Sequence, residues 1–559
     1  MNQISDINIP QRVVTSKWIY IIFGILTLFT ITTIVLSAVI LGVVVNRLDS
    51  KNETSLNNNG PISFADQIKI DELMKHLQQL QIIADRSNGT RVIATAGFND
   101  TLDYIVSQLE QNTNLIVKRQ YFTVRNFIIQ GTPRLQTRIN GNIVDRVYIT
   151  EFTHILFSQR ADFDSHVRVV VIPNQGCNDA DWSSVSAADS VALVIRGVCT
   201  DPAKSALAEK YRVKGLLIYN NGATLANYPP VQGVRNNLNT TIPVFSISYT
   251  LGMQLVNGSA DAGVMMNIDV SDANGIGNIC ADTPTGDKTK TIVVGSHSDG
   301  VAAGSGINDN GSGTIGNLIL ALNLARLFQT SSASYSTYPY RVRFCWWGAE
   351  EHGLLGARYH VEQALLPSTI EIGERFQDYL LNLNYDMLAG PNYRFGIHDD
   401  KTVLPTTPTQ ALYGTGQITN IFRQWFNEQN LPWSNSSLGG GSDYIPFLAA
   451  GLAVGGVNTG AGGSKPASER DQYAAVLGIG NGGIANAAYD PCYHQQCDRI
   501  TNINPFAYEK VVKAAAYAIE YFGRLNDLEK WLYPQGRMKN YENFNRDRIY
   551  DFGNDPDLI

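Results

Sequence analysis

The chain has 559 residues, of which 44% are hydrophobic and 17% charged, and its formal net charge is -7. That length exceeds one ordinary domain, and the composition suits large buried cores, which excludes an intrinsically disordered chain. The charge is mild and no Lys/Arg cluster stands out, so the sequence carries no electrostatic footprint for nucleic acid.

From the N-terminus, a short tail (1–17) precedes an apolar span (18–46) that has no charged residue between Trp18 and Val45. This is longer than the roughly 20 residues needed to cross a bilayer, and longer than the apolar region of a cleaved signal peptide. An uncleaved transmembrane signal-anchor is expected. Arg12 and Lys17 before the span are matched by Arg47 and Lys51 after it, so flanking charge does not set the sidedness. Other features do. Six cysteines, and glycosylation sequons at Asn52, Asn88, Asn99, Asn239, Asn257 and Asn435, all lie C-terminal to the span. They place the large C-terminal part in an oxidising space, as a glycoprotein. The expectation is a single-pass type II protein of the plasma membrane or of a vacuolar or lysosomal membrane. Its tail would be cytosolic and the rest extracellular or luminal.

Residues 47–61 are polar and Asn-rich and read as a stalk. A first helix is predicted within 62–86 from Leu73, Leu77, Leu80 and Ile83, and a second over 99–111 from Leu102, Ile105, Val106 and Leu109. Residues 114–129 alternate as a strand does. From 142 to 270 the texture changes to short β-branched runs (167–173, 191–196, 215–219 and 242–247), with a helix at 202–211, so this stretch reads as an α+β insert. Beyond it, buried strands at 291–295, 341–346 and 380–384 alternate with helices at 311–327, 356–366 and 417–429. Such alternation implies an α/β layer with a mixed, largely parallel central sheet. The segments 62–141 and 271–525 then form one domain interrupted by the insert, and 526–559 is a charged, aromatic tail without a clear period.

Five short motifs hold most of the chemistry. His297-Ser298-Asp299 directly follows a strand, where ligands gather in α/β sheets. His297 is a candidate metal ligand there, and Asp299 a candidate acceptor for its other ring N–H. Asn308-Asp309-Asn310-Gly311-Ser312-Gly313 leads into a helix and reads either as a turn and cap or as a metal bridge through Asp309. Glu350 and Glu351 follow an apolar strand, where one acid can be a ligand and its neighbour a general base. Asp386 follows the next strand. The last motif, 490–498, presents Tyr493 and His494 on a loop that a Cys492–Cys497 bridge would close. Each motif alone has a bland explanation. Together, two histidines and three carboxylates (His297, Asp309, Glu351, Asp386, His494) with Glu350 to spare meet the N/O-ligand needs of paired zinc ions.

In order and identity these motifs resemble the M28 family of metalloaminopeptidases, over roughly residues 62–523, and Gly441-Ser442-Asp443-Tyr444 is similar as well. The resemblance implies a zinc exopeptidase fold with two zinc ions and peptide substrates bearing a free N-terminus. One zinc would be held by His297 and Asp386, the other by Glu351 and His494, with Asp309 spanning both and the Asp309–Asn310 bond cis. Glu350 would be the general base and Tyr493 would polarise the scissile carbonyl. Asn310 also opens a sequon, but a glycan there would block the site. Gly441 stands where bacterial relatives often carry arginine. The insert, 142–270, resembles a protease-associated domain, in which Cys177 and Cys199 would pair. Cys345, in a core strand, is expected as a buried free thiol.

Two alternatives keep the fold. A glutamate-type carboxypeptidase would need an arginine-lined pocket, whereas 439–442 offers only Gly and Ser. A non-catalytic, receptor-like homologue would carry degenerate ligands, and none is degenerate here. Nothing in the sequence specifies an oligomeric state.

Overall fold

The computed structural model describes residues 63–231, 240–258, 260–330, 335–366, 371–541, 544–545 and 549. The expected tail, signal-anchor and stalk lie outside them, as do Asn52 and Asn239. Among the described residues no helix is long and apolar enough to cross a membrane.

The helix Ile70–Arg86 buries Leu73, Leu77, Leu80 and Ile83, one stripe at three- and four-residue spacing. The next helix, Ala96–Asn112, begins three residues earlier than predicted, because the Thr95 hydroxyl caps it by accepting the Phe98 N–H at 3.4 Å. Both pack into the main core with the strand that follows.

That strand, Ile116–Ile139, runs ten residues past the predicted alternation. It pairs antiparallel with Gly263–Asp282 along its length, through register shifts at 122–124, 124–128 and 130–134. The last shift, at 130–134, breaks the period of two just past the predicted end, which hides the rest of the strand from a pattern reading. The pair therefore carries the chain from the catalytic layer into the insert and back. Within the insert, Val167–Val171, Val191–Ile195, Gly215–Tyr219 and Val244–Ile247 form a parallel row. The helix Asp201–Lys210 packs beside it, capped by Thr200. Cys177 and Cys199 are bonded.

In the catalytic layer Ala453–Asn458, Tyr379–Tyr385, Asp287–His297 and Tyr340–Trp347 lie side by side and parallel. Gly263–Asp282 closes one side antiparallel. Gly396–His398, antiparallel to Ala453–Asn458, and Ser434–Ser436 extend the other. The sheet is mixed but mostly parallel at its centre, with both faces covered, which explains the continuous apolar runs. The helix Gly313–Thr330 is buried nearly all round against it. The helix Thr409–Glu428 starts eight residues earlier than predicted. The buried face of its first turns is small, made of Ala411, Gly414 and Thr415, and a Cβ on Gly414 would stand 2.7 Å from that of Ala453. Near the C-terminus, Leu528 and Leu532 of a short helix, Leu528–Leu532, are buried in the main core.

One expectation is corrected. Cys345 is not a free thiol but is bonded to Cys280, its direct partner across the antiparallel strands. Both lie in the core, so burial alone could not separate a thiol from a half-cystine; the strand register decides it. The bridge spans 65 residues. Replacing both cysteines by alanine is expected to remove up to about 4 kcal/mol of stability on the loop-closure scale. A lowered urea midpoint would show it, and an unchanged midpoint would refute it.

Candidate metal centre

The four central parallel strands end side by side, and three of those ends carry candidate residues. His297 is the last residue of Asp287–His297. Glu350 and Glu351 lie three and four residues beyond Tyr340–Trp347, and Asp386 directly follows Tyr379–Tyr385. Asp309 arrives from the turn before the helix Gly313–Thr330, and His494 from the loop that the Cys492–Cys497 bond closes.

The two carboxylate oxygens of Asp309 face different histidines. Oδ1 is 3.5 Å from His297 Nε2, and Oδ2 is 3.1 Å from His494 Nε2. Asp386 Oδ1 lies 3.3 Å from His297 Nε2, and Glu351 Oε2 lies 3.0 Å from His494 Nε2. Glu350 Oε2 is farther, 3.8 Å from His297 Nε2. Tyr493 stacks on His494 with ring centroids 3.8 Å apart. The structure thus brings all the predicted ligands, Glu350 and Tyr493 to one place. Asp299 is beside His297, but its Oδ1 is 3.6 Å from Nδ1, too long for a formed hydrogen bond; that oxygen accepts the Glu350 backbone N–H at 3.1 Å.

Several residues that hold the site were not singled out for that role. Asp498 accepts the backbone N–H groups of Asn308 at 2.8 Å and Asp309 at 3.0 Å. Ser442 accepts from Asn384 and donates to Asp386 Oδ2, both at 2.7 Å, which fixes that carboxylate. The fully buried Arg91 donates to the carbonyls of Ser298 at 2.6 Å, Ser305 at 2.9 Å and Gly306 at 2.5 Å. It clamps the loop after His297. Gly306 has φ +61, and a Cβ there would stand 2.4 Å from the Asp309 carbonyl, so only glycine fits. The Asp309–Asn310 peptide bond is cis. Asn310 is buried, donating to Tyr385 O at 3.0 Å and accepting from Gly313 N at 2.8 Å, so its side chain is not available to a glycan. Nothing in the local sequence around Arg91 marks it, because its partners are more than 200 positions away.

The electrostatics describe a box built for cations. Burial pulls the His297 imidazole down, but Asp386 and Glu350 outweigh it and hold it well above its usual range. Burial also opposes a charge on His494, yet hydrogen bonds to Asp309 and Glu351 lift it to about 11. Glu350 is pushed well above the carboxylate range by burial, against the pull of His297, with Asp443, Glu351 and Asp386 adding to the rise. Burial, with Asp309, Glu351, Glu350 and Asp386 adding to it, raises the Tyr493 phenol and keeps it protonated. Within the box His297 Nε2, Glu351 Oε1 and Asp386 Oδ1 are buried without hydrogen-bond partners. Such atoms are costly unless something pairs them. Two sets of donors, His297/Asp309/Glu351 and His297/Glu350/Asp386, each converge closely enough to hold one ion. Imidazole and carboxylate donors of this kind, with no thiolate, fit zinc, so the residues present suit the ion.

Side chains able to hold a metal ion, gathered at the ends of parallel strands with a buried carboxylate of raised pKa beside them, fit the class of metal-dependent hydrolases. The particular family follows from comparison. Residues 278–519 match the model of peptidase family M28, and residues 166–255 match the PA domain. The chain is 32% identical to leucine aminopeptidase 2 of Arthroderma otae over 459 residues, covering 81% of this chain and 84% of that protein. It is 30% identical to an aminopeptidase of Pseudomonas aeruginosa over 470 residues, covering 82% of this chain and 81% of the other. Among solved structures its fold is similar to an aminopeptidase from Aneurinibacillus sp. strain AM-1, with TM-score 0.59 at 19% identity, covering 83% of this chain and 96% of that one. The chain belongs to peptidase family M28 and contains a PA domain. It is an enzyme, a hydrolase of peptide bonds.

Proposed function

We propose that the protein is a co-catalytic two-zinc aminopeptidase that removes N-terminal residues from peptides. The observation that carries this reading is Asp309, whose two oxygens face His297 and His494 separately. One ion would be held by His297 and Asp386, the other by Glu351 and His494, with Asp309 shared. Relatives named aminopeptidases, and a zinc aminopeptidase from Bacillus subtilis of similar fold (TM-score 0.56), agree with it. Bound there, zinc supplies Lewis acidity and brings the pKa of a water from about 15.7 towards about 7.

The side chains do the rest. Glu350 accepts the water's proton and delivers it to the leaving amine, a role its raised pKa suits. The protonated Tyr493 hydroxyl donates to the developing oxyanion. The substrate ammonium rests against Glu350 and Asp386, which together make a negative wall. A carboxypeptidase would need a free guanidinium, and the buried Arg91 is committed to three carbonyls.

The proposal extends to the whole chain. Residues 18–46 anchor it in the membrane, with 47–61 as stalk, and the catalytic part lies outside the cytosol and carries N-linked glycans. All six cysteines are paired, as an oxidising compartment favours. The test is zinc content together with activity of the purified full-length protein. The substrates are amino-acid p-nitroanilides, N-blocked analogues and peptides ending in glutamate. About two zinc ions per chain and cleavage of free-amine substrates alone are expected. Activity confined to C-terminal glutamate would replace this reading with a carboxypeptidase. A folded protein with neither zinc nor activity would leave only a binding role.

A further inference from the structure

We propose that His352 is a positioning residue for the His297 side of the metal centre, acting through Asp299. The inference rests on the zinc reading above. Three buried polar atoms without hydrogen-bond partners stand in a row: His297 Nδ1, Asp299 Oδ2 and His352 Nδ1. The gaps are 3.6 Å from His297 Nδ1 to Asp299 Oδ1 and 3.7 Å from Asp299 Oδ2 to His352 Nδ1. Each is slightly longer than a hydrogen bond, and each joins a possible N–H donor to a carboxylate oxygen. The turn after the two glutamates places His352 there, with the N–H groups of Gly353 and Leu354 both donating to the Glu350 carbonyl at 2.8 Å.

A neutral imidazole whose Nε2 lone pair is given to a cation must carry its proton on Nδ1. His297 then has a donor to place, and Asp299 is the acceptor facing it. Asp299 Oδ1 also takes the Glu350 N–H, which leaves Oδ2 turned towards His352. A carboxylate held by donors on both oxygens cannot swing away from His297. His352 itself is buried and braced by Phe127, whose ring lies perpendicular to it with centroids 4.7 Å apart. Phe127 belongs to Ile116–Ile139, the strand that runs into the insert. The bracing therefore comes from outside the strand ends that supply the ligands.

The test measures zinc affinity directly, by competition with a chromogenic chelator on the full-length protein. His352→Phe keeps the ring against Phe127 and removes the donor. His352→Asn gives up the ring but returns an N–H near the Nδ1 position. One of the two zinc steps is expected to weaken about 10–100-fold in the Phe variant and to stay within about threefold of wild type in the Asn variant. A role in packing alone predicts the opposite order. Unchanged affinity in His352→Phe, or equal loss in both, overturns the proposal. If the Phe variant does not fold, His352→Gln replaces it: its amide reaches the Nε2 position, so it should lose affinity where Asn retains it, and equal affinities overturn the proposal. Wild-type protein that takes up no zinc would overturn the metal reading and this inference together, whereas zinc-binding wild type with an unaffected Phe variant refutes only this inference.

Discussion

Replacing Glu350 by glutamine should lower kcat by about 10²–10⁴-fold and leave zinc content unchanged. Glutamine has nearly the same shape and keeps the packing, but it cannot accept and return a proton. KM should change less, because Asp386 remains to face the substrate ammonium. The variant also separates two readings of the geometry. By distance alone Glu350 belongs to a donor set with His297 and Asp386, and Glu351 to one with His297 and Asp309. Yet Glu351 Oε2 is 3.0 Å from its histidine, while Glu350 Oε2 is 3.8 Å from the nearer one. A general base should sit in the longer position. If Glu350→Gln lost zinc as well as activity, Glu350 would be a ligand and the base would lie elsewhere. Kinetics beside metal analysis on the same preparation distinguish the two.

Asp309→Ala should have the largest effect on metal content of any single substitution in the site. Both zinc steps should weaken by more than about 100-fold, beyond the 10–100-fold usual for outer-sphere partners. The reason is that its two oxygens serve two histidines at once. Removing Asp386 or Glu351 strips one side only, so Asp386→Ala and Glu351→Ala should each spare one step. The two sides share Asp309, so these losses will not add. Dialysed protein analysed for zinc, with a melting curve to show that it remains folded, is the measurement. Retention of one tight zinc in Asp309→Ala would mean that the two sides are independent and that no carboxylate bridges them.

Much of the site could be read in the sequence because its chemistry is local. His297, Glu350, Glu351 and Asp386 each sit within a few residues of the end of a buried strand, and such strands announce themselves as apolar runs. The Cys492–Cys497 loop is legible for the same reason, since its ends are five residues apart. The chain by itself thus determined the residue types, their order and the class of sheet. The supporting set could not be read this way. Arg91, Asp498 and Ser442 reach partners 56 to 215 positions away, and no short pattern encodes such distances. Cys280 and Cys345 are bonded because two antiparallel strands place them opposite one another, and a one-residue slip in register would part them. Whether Asp309 caps a turn or joins two sites was likewise undecided along the chain. Only the tertiary fold brings the His297 strand and the His494 loop to opposite oxygens of one carboxylate. Neither local propensity nor hydrophobic period carries information about where those distant segments meet.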